Sequence, residues 1–164
     1  MSLSAKILLL GDIGVGKSSL ARRLVFDRFD SAYKTTIGVD VLTHDVDCAG
    51  QTLRMILWDT DGDFGQHIFD TVYARGASGA IIVSDASRPT TTLKMANLAR
   101  GFANRFPGRP SCSVINKIDL VPGDRAAIAG GLGADETLYS SALTGEGVNA
   151  LFAAIGSAII RRSL

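Results

Sequence analysis

The sequence predicts an α/β protein whose central sheet is mostly parallel. Short apolar runs typical of buried strands alternate with segments of helical composition and spacing. Alternation of this kind indicates a parallel sheet with helices covering both faces. The predicted strands are Lys6–Leu10, Arg54–Trp58, Ala80–Ser84 and Ser113–Ile115.

One antiparallel pair is expected within this sheet. The halves of segment Val39–Trp58, VDVLTHDVD and QTLRMILWD, flank the tripeptide Cys48-Ala49-Gly50. Two strand-like halves around a short turn predict a hairpin, so the sheet should be mixed.

Three helices are predicted, at Lys17–Phe26, Thr91–Arg105 and Val148–Arg161. The last of these carries an apolar stripe at helical spacing, which is typical of a helix packed on a core. The stripe consists of Leu151, Phe152, Ile155, Ile159 and Ile160.

Composition narrows the function classes. The 164 residues fit a single domain, 1–164, and a net charge of +1 gives no broad attraction for nucleic acid or an anionic membrane. Two cysteines without metal-ligand spacing predict a reducing, cytoplasmic setting. No run approaches the roughly 18–20 apolar residues of a membrane span, and the end IIRRSL has no terminal cysteine for prenylation. We therefore expect no lipid anchor of that kind.

The stretch Gly11–Ser18, GDIGVGKS, matches G-x-x-x-x-G-K-[ST] between a predicted strand and a predicted helix. Glycines in such a loop allow successive backbone N–H groups to point inward at phosphate oxygens. Lys17 supplies positive charge for the outer phosphates, and Ser18 offers a hydroxyl to Mg²⁺. The helix that begins here presents its positive dipole end to the anion. The stretch predicts a phosphate-binding loop, with an ordinary glycine-rich turn as the alternative.

A second motif, Asn116-Lys117-Ile118-Asp119, follows the apolar run CSVI, where a strand ends and a ligand crevice opens. An ionised Asp119 only accepts hydrogen bonds, and guanine presents N1–H and its amino group as a matching pair of donors. Adenine presents an unprotonated N1 there and would leave the carboxylate unpaired. The motif predicts guanine selectivity and disfavours an ATP-dependent kinase or ATPase; alone, it could be a polar loop.

With these motifs the chain resembles a small GTPase of the Ras superfamily, most closely the Rab branch. The resemblance covers essentially the whole chain and is carried by GDIGVGKS, KTTIGVD, WDTDG, NKID and SSALTGEGV in family order. It implies a P-loop NTPase G domain with a mixed, mostly parallel six-stranded sheet flanked by helices on both faces. It also implies a monomeric GTP hydrolase that binds GTP or GDP with Mg²⁺ and signals to a protein effector or regulator through its switch segments.

The resemblance assigns nucleotide contacts to individual residues. Phe29 would lie edge-on against guanine, and Tyr33 would fold over the phosphates. Asn116 would touch the Hoogsteen edge of the base, and Lys117 would pack on the ring and brace the phosphate loop. The backbone N–H groups of Ser141-Ala142 would face the guanine O6. The nucleotide-binding set is Asp12, Ile13, Gly14, Val15, Gly16, Lys17, Ser18, Ser19, Phe29, Tyr33, Thr36, Gly62, Asn116, Lys117, Asp119, Leu120, Ser141, Ala142 and Leu143.

The resemblance also assigns the metal and the reaction. Ser18 and Thr36 would coordinate Mg²⁺, and Asp59 would hold it through water. Thr36 and the backbone N–H of Gly62 would sense the γ-phosphate. The catalytic positions are Lys17, Thr36, Gly62 and Asp63.

The stretch WDTDGDFGQ departs from the family where hydrolysis takes place. Asp61 stands where the family has alanine, and Asp63 stands where it usually has the glutamine that orients water. Ile13 occupies a position where many members have glycine or another small residue, and would crowd the attacking water. A carboxylate about 4 Å from a phosphate oxygen costs several kcal/mol at an effective dielectric of about 20. These residues predict weak intrinsic hydrolysis.

Other interpretations of this stretch stay open. Asp61 could join Asp59 at the metal or point away from the nucleotide. Gln66 could reach back to the water in a rearranged switch. Asp63 is a poor general base, because an exposed carboxylate need not have a matched pKa.

Two functions therefore compete. The first is a slow GTPase switch, favoured by retention of Lys17, Ser18, Thr36 and Asp59. The second is a guanine-nucleotide-binding interaction module without turnover, favoured by Asp61 and Asp63, the additional aspartates of the second switch, which lies within Trp58–Gln66.

The surface that a partner would read is also altered. The run Phe64-Gly65-Gln66 replaces the family's E-R-F, so partners of ordinary Rabs should fit poorly. Leu143 replaces a lysine, which matters little for a backbone contact. Ile37, Gly38 and Trp58 remain as apolar surface, with core packing an equal alternative for Trp58.

Overall fold

The central sheet has six strands in the order β2-β3-β1-β4-β5-β6. The computed structural model describes residues 3–29, 38–48, 50–123 and 137–163. Neighbouring strands are parallel except β2 and β3, so the predicted mixed, mostly parallel sheet is confirmed. The strands are β1 (Leu3–Gly11), β2 (Val39–Cys48), β3 (Gln51–Thr60), β4 (Gly79–Asp85), β5 (Ser111–Asn116) and β6 (Thr137–Tyr139).

The predicted hairpin is formed by β2 and β3. Their antiparallel register runs from Val39 opposite Thr60 to Cys48 opposite Gln51. Gly50, in the predicted turn, has φ 80°, a left-handed conformation that favours glycine. Ala49, the middle residue of that turn, lies outside the described residues.

Both faces of β1 are buried, which explains its continuous apolar run. Ile7 and Leu9 point into one hydrophobic core, whereas Leu8 and Leu10 point into another on the opposite face. The first core is closed by α1 (Lys17–Phe26) and α3 (Val148–Ser163), and the second by α2 (Pro89–Arg105). The predicted helices on both faces are confirmed.

The helix ends differ slightly from those predicted. Helix α1 has the predicted bounds, whereas α2 begins two residues early because Pro89 suits the first turn, where no backbone donor is needed. The predicted stripe of α3 is buried throughout. No helix in the described ranges has the length and apolar content needed to span a bilayer.

Some elements gave no clear sequence signal. Strand β6 has only three residues, too few for a period to emerge. The segment Gly62–Asp70 is a 3₁₀ helix kinked at Gly65, where φ is 49°. Further short 3₁₀ turns are Val72–Ala74 and Ile118–Leu120.

The sheet order places one crevice at the carboxyl ends of its strands. From β1 the sheet extends to β3 on one side and to β4 on the other. This reversal of strand order opens a crevice where ligands bind in α/β folds. The phosphate loop leaves β1 at this edge, and Asp59, Asp85 and Asn116 lie at the ends of β3, β4 and β5.

Phe152→Ala in α3 is expected to lower the free energy of unfolding by about 3–5 kcal/mol, since it opens a cavity in a packed core. Phe152 is only 1% exposed. The control is Leu93→Ala in α2, where the side chain is 66% exposed and the expected change is within about 0.5 kcal/mol. Urea unfolding of both variants measures the difference, and equal losses would contradict this account of the core.

Candidate functional site

The phosphate loop joins β1 to α1 through a backbone path that requires glycine. Gly14 has φ 75° and Gly16 has φ 105°, both in the left-handed region. A Cβ on Gly16 would lie 2.2 Å from Nδ2 of Asn116. Gly16 therefore lets the loop pass directly beside the second motif.

Two side chains of the second motif hold the loop from outside. Lys117 Nζ donates to the carbonyl of Gly14 at 2.6 Å, and Asn116 Nδ2 donates to the carbonyl of Val15 at 3.0 Å. A planar trans peptide directs its N–H opposite to its C=O. The N–H groups of Val15 and Gly16 therefore point away from these donors, as a phosphate-binding loop requires. The predicted bracing of the loop by Lys117 is present.

Lys17 is a buried cation within the loop. Lys17 is only 6% exposed, and its Nζ donates to the carbonyls of Gly11 at 2.9 Å and Asp12 at 2.8 Å. Desolvation lowers the pKa of Lys17 to about 8, although the charges of Asp59, Asp12 and Asp61 oppose the shift. The ammonium is poorly hydrated, which makes an incoming anion a favourable partner.

Ser18 and Asp59 form an oxygen pair at the start of α1. Ser18 Oγ donates a hydrogen bond to Oδ2 of Asp59, which is 2% exposed at the end of β3. A hydroxyl and a carboxylate are hard ligands that suit Mg²⁺ when phosphate oxygens and water complete the shell. The donor set therefore fits the predicted ion. Thr36 lies outside the described residues.

The Asn116–Asp119 motif is tied to the loop after β6. Ser141 Oγ donates to Asp119 Oδ1 at 2.7 Å. Asn116 Oδ1 accepts from Ser140 Oγ at 3.0 Å and from the Ala142 N–H at 3.3 Å. The predicted contact of the Ala142 N–H with guanine O6 would have to share this hydrogen with Asn116.

Arg23 of α1, which the motifs did not single out, supports the same loop. Its Nε donates to the carbonyl of Ala142 at 3.0 Å, and its Nη2 donates to that of Leu143. Leu143 and Leu120 are exposed, as is Phe29. Their predicted base contacts remain predictions, and Tyr33 lies outside the described residues.

The second switch passes directly beside the phosphate loop. A Cβ on Gly62 would lie 2.4 Å from the backbone nitrogen of Ile13, so glycine is needed at this crossing. Asp61 Oδ1 accepts the Asp63 N–H at 2.9 Å and caps the 3₁₀ segment, while the Asp63 side chain is exposed. No group of three His, Cys, Asp or Glu side chains forms a metal cluster in the described part of the chain. A metal role for Asp61 remains a prediction.

Further along the switch, side chains turn toward α2. A Cβ on Gly101 would lie 2.4 Å from Oε1 of Gln66, so Gln66 is directed at that helix. The ring centroid of Tyr73 lies 5.9 Å from that of Phe64 and 6.4 Å from that of Trp58. Trp58 is half-buried and packs against the core, while its recognition by a partner stays a prediction. Ile37 lies outside the described residues.

Sequence reasoning missed an ionic cluster beside the loop. Asp85 is 2% exposed at the end of β4 and lies within 3.1 Å of Lys117 Nζ and 3.0 Å of Arg88 Nε. Burial raises the pKa of Asp85, but hydrogen bonds from Ser87, Arg88 and Lys117 outweigh it and hold the pKa below its usual range. A carboxylate directly after the predicted strand Ala80–Ser84 was the signal for it.

A second cation contacts the loop at Asp12. Lys94 Nζ lies 2.9 Å from Asp12 Oδ2. Burial raises the pKa of Asp12, but Lys94, the Ile13 N–H and Arg88 together hold it below the usual range. The loop's own carboxylate is thereby compensated from α2.

The glycine-rich loop joins β1 of a mixed sheet to α1 and lies beside the oxygen pair of Ser18 and Asp59. This arrangement defines the P-loop nucleotide-binding class. The Ras family model matches residues 6–161, so the chain belongs to the Ras family.

Several Rab-type proteins are similar to it. Ras-related protein SEC4 of Saccharomyces cerevisiae is 45% identical over 86 residues, which are 52% of this chain and 40% of that protein. The GTP-binding protein yptV2 of Volvox carteri is 35% identical over 121 residues, 73% of this chain and 56% of that protein. Human Ras-related protein Rab-31 is 34% identical over 116 residues, 70% of this chain and 60% of that protein. The predicted Rab-like resemblance is confirmed, and the matches span about half the length of these relatives.

The low pKa of Lys17 predicts a pH-dependent stability. Below about pH 8 Lys17 is protonated in both the folded and the unfolded protein, and the folded protein carries the desolvation cost of the charge. Between about pH 8 and the ordinary pKa of 10.5, Lys17 keeps its proton only in the unfolded chain. Stability from this group therefore rises through that window. Lys17→Met removes the titration, so its stability relative to the unmodified protein should fall by about 3 kcal/mol from pH 7 to pH 10.5. Urea unfolding of both nucleotide-free proteins measures this, and a constant difference would contradict it.

Proposed function

We propose that the chain is a guanine-nucleotide-binding switch that takes GTP and GDP with Mg²⁺ and hydrolyses GTP slowly. The observation that supports this proposal most strongly is the direct hydrogen bonding between the Asn116–Asp119 motif and the phosphate loop. Asn116 and Lys117, in the motif that reads the base, donate to successive carbonyls of the phosphate loop. Binding of one nucleotide across both elements follows naturally from this coupling.

Guanine selectivity is assigned to Asp119. Its Oδ1 accepts from Ser141 Oγ, which fixes the carboxylate and leaves it with acceptor capacity for the N1–H and amino group of guanine. Adenine would face this carboxylate with a lone pair.

Slow hydrolysis is assigned to the charge and shape of the second switch. Asp61 lies close enough for its charge to raise the pKa of Lys17. Asp63 replaces a neutral water-positioning side chain, and Ile13 adds a branched side chain at the crossing with Gly62. Phosphoryl transfer requires positioned water and neutralised oxygens, so added negative charge slows it.

The metal completes the phosphate site in this proposal. Ser18, Thr36 and Asp59 would hold Mg²⁺, which would neutralise charge developing on the phosphate oxygens. Lys17 supplies the second positive charge from the protein side, and the Gly62 N–H donates toward the γ-phosphate.

The alternative is an interaction module that holds a nucleotide without turnover. The observation favouring it is that the Asp61 carboxylate serves as a cap for the 3₁₀ segment, so this acid has a structural use in a fixed switch. Both versions act in the cytoplasm as a monomeric single domain. A protein effector or regulator would read the switch surface around Gly38, Trp58 and Phe64.

Asp119→Asn is expected to lower the preference for GTP over ATP by at least about 100-fold, because the amide accepts from only one guanine donor and turns its own NH₂ donor toward the other. Competition against a fluorescent GDP analogue measures both affinities. Asp70→Asn, the same change at an exposed residue, is the control and should keep the preference. An unmodified protein that does not distinguish GTP from ATP would overturn the assignment of Asp119.

Asp63→Gln is expected to accelerate phosphate release about tenfold or more, by removing a charge and restoring an amide that orients water. The purified protein is first stripped and its nucleotide identified by chromatography, then reloaded with GTP for single-turnover measurement. Asp70→Gln should leave the rate unchanged.

Bound GTP, negligible turnover and partial restoration by Asp63→Gln would establish a weakened switch. Bound GDP with brisk turnover in the unmodified protein would overturn the role given to the aspartates and point to another water-positioning group.

A further inference from the structure

Three consecutive carbonyls of the phosphate loop are held from outside by three different side chains. Lys117 and Asn116 hold those of Gly14 and Val15, as described above. The third donor is Arg88, whose Nη2 donates to the carbonyl of Ile13 at 2.7 Å. Arg88 precedes α2 and comes from a different part of the chain than the base motif.

Arg88 is itself anchored on the buried carboxylate of Asp85. Its Nε donates to Asp85 Oδ2 at 3.0 Å, and the same oxygen lies 3.1 Å from Lys117 Nζ. The other oxygen, Oδ1, accepts from the N–H of Ser87 at 2.8 Å and from its hydroxyl at 2.6 Å. The Asp85 carboxylate therefore orients both Arg88 and Lys117, which donate to successive carbonyls of the loop.

The geometry gives Arg88 a definite effect on the loop. With the Ile13 carbonyl turned outward, the N–H of Gly14 points to the opposite side of that peptide plane. If this peptide rotated, its carbonyl oxygen would face phosphate oxygens and the donor would be lost. A hydrogen bond from a charged guanidinium opposes that rotation more strongly than a neutral one.

We propose that Arg88 is a positioning residue of the phosphate loop, which holds the Ile13 carbonyl outward so that the Gly14 N–H is presented to the phosphates common to GDP and GTP. The inference rests on the proposed nucleotide binding. Arg88 uses Nε and Nη2 on the protein itself, which separates this role from that of an arginine contacting the γ-phosphate.

The test measures affinity and dissociation rate for fluorescent GDP and for a non-hydrolysable GTP analogue, with Mg²⁺. Arg88→Ala should weaken both about tenfold, mainly through faster dissociation. Arg88→Lys keeps the charge but lacks the fork that joins Asp85 to Ile13, so its affinity should lie between the two. Arg100→Ala, at an exposed arginine of α2, is the matched control and should bind like the unmodified protein.

A thermal measurement separates positioning from general stability. The rise in melting temperature produced by saturating GDP should be smaller in Arg88→Ala than in the unmodified protein, because ligand stabilisation follows affinity. A lower melting temperature with an unchanged GDP-induced rise would overturn the proposal in favour of a purely structural role.

The remaining outcomes are equally distinct. If Arg88→Ala weakened binding of the GTP analogue alone, Arg88 would be a γ-phosphate ligand, and the proposal would be overturned. If Arg88→Lys bound both nucleotides like the unmodified protein, Arg88 would act only through its long-range charge, which would also overturn the proposal. Unchanged nucleotide binding by Arg88→Ala would overturn the proposal for Arg88 and leave the proposed function standing. Failure of the unmodified protein to bind either nucleotide overturns the proposed function, and this inference with it.

Discussion

The hydrogen bond from Asn116 to the Val15 carbonyl is the constraint on which the rest of the site depends. It joins the end of β5 to the loop after β1, across the intervening strand β4. Asn116 is 1% exposed, so either group left without its partner would carry a desolvation cost of about 1–3 kcal/mol. Gly16 is required for the same reason, because the amide of Asn116 occupies the space of a Cβ there. The conformations of the phosphate loop and of the Asn116–Asp119 motif therefore depend on each other.

The charges around the loop are arranged so that the acids on its outer side are already compensated. Asp12 is paired with Lys94, and Asp85 with Arg88 and Lys117. Lys17 lies inside, where desolvation makes its protonated form costly. A phosphate would relieve that cost without competing against the outer ion pairs. Asp61 of the second switch acts on the same inner cation, because its charge raises the pKa of Lys17.

Periodicity and strand ends made much of this fold predictable. Each of the runs that became β1, β3, β4 and β5 contains two or more fully buried apolar residues, and the motifs at their ends could be located by the rule for parallel sheets. Strand β6 is too short to carry a period. Arg88 and Lys94 contact the loop across long sequence separations, and in the sequence they are indistinguishable from solvated cations at the start of an amphipathic helix.

The second switch was the least predictable element because its shape depends on local capping. Asp61 accepts the Asp63 N–H at the start of the 3₁₀ segment, while its own N–H donates to the Gly38 carbonyl at 2.8 Å. Caps of this type contribute about 1 kcal/mol, so replacing Asp61 by alanine would remove a charge and loosen the segment together. The same residue therefore ties the 3₁₀ segment to Gly38, directly before β2, and places a negative charge near Lys17. Shape and charge at this position therefore depend on one residue, and neither follows from the motif alone.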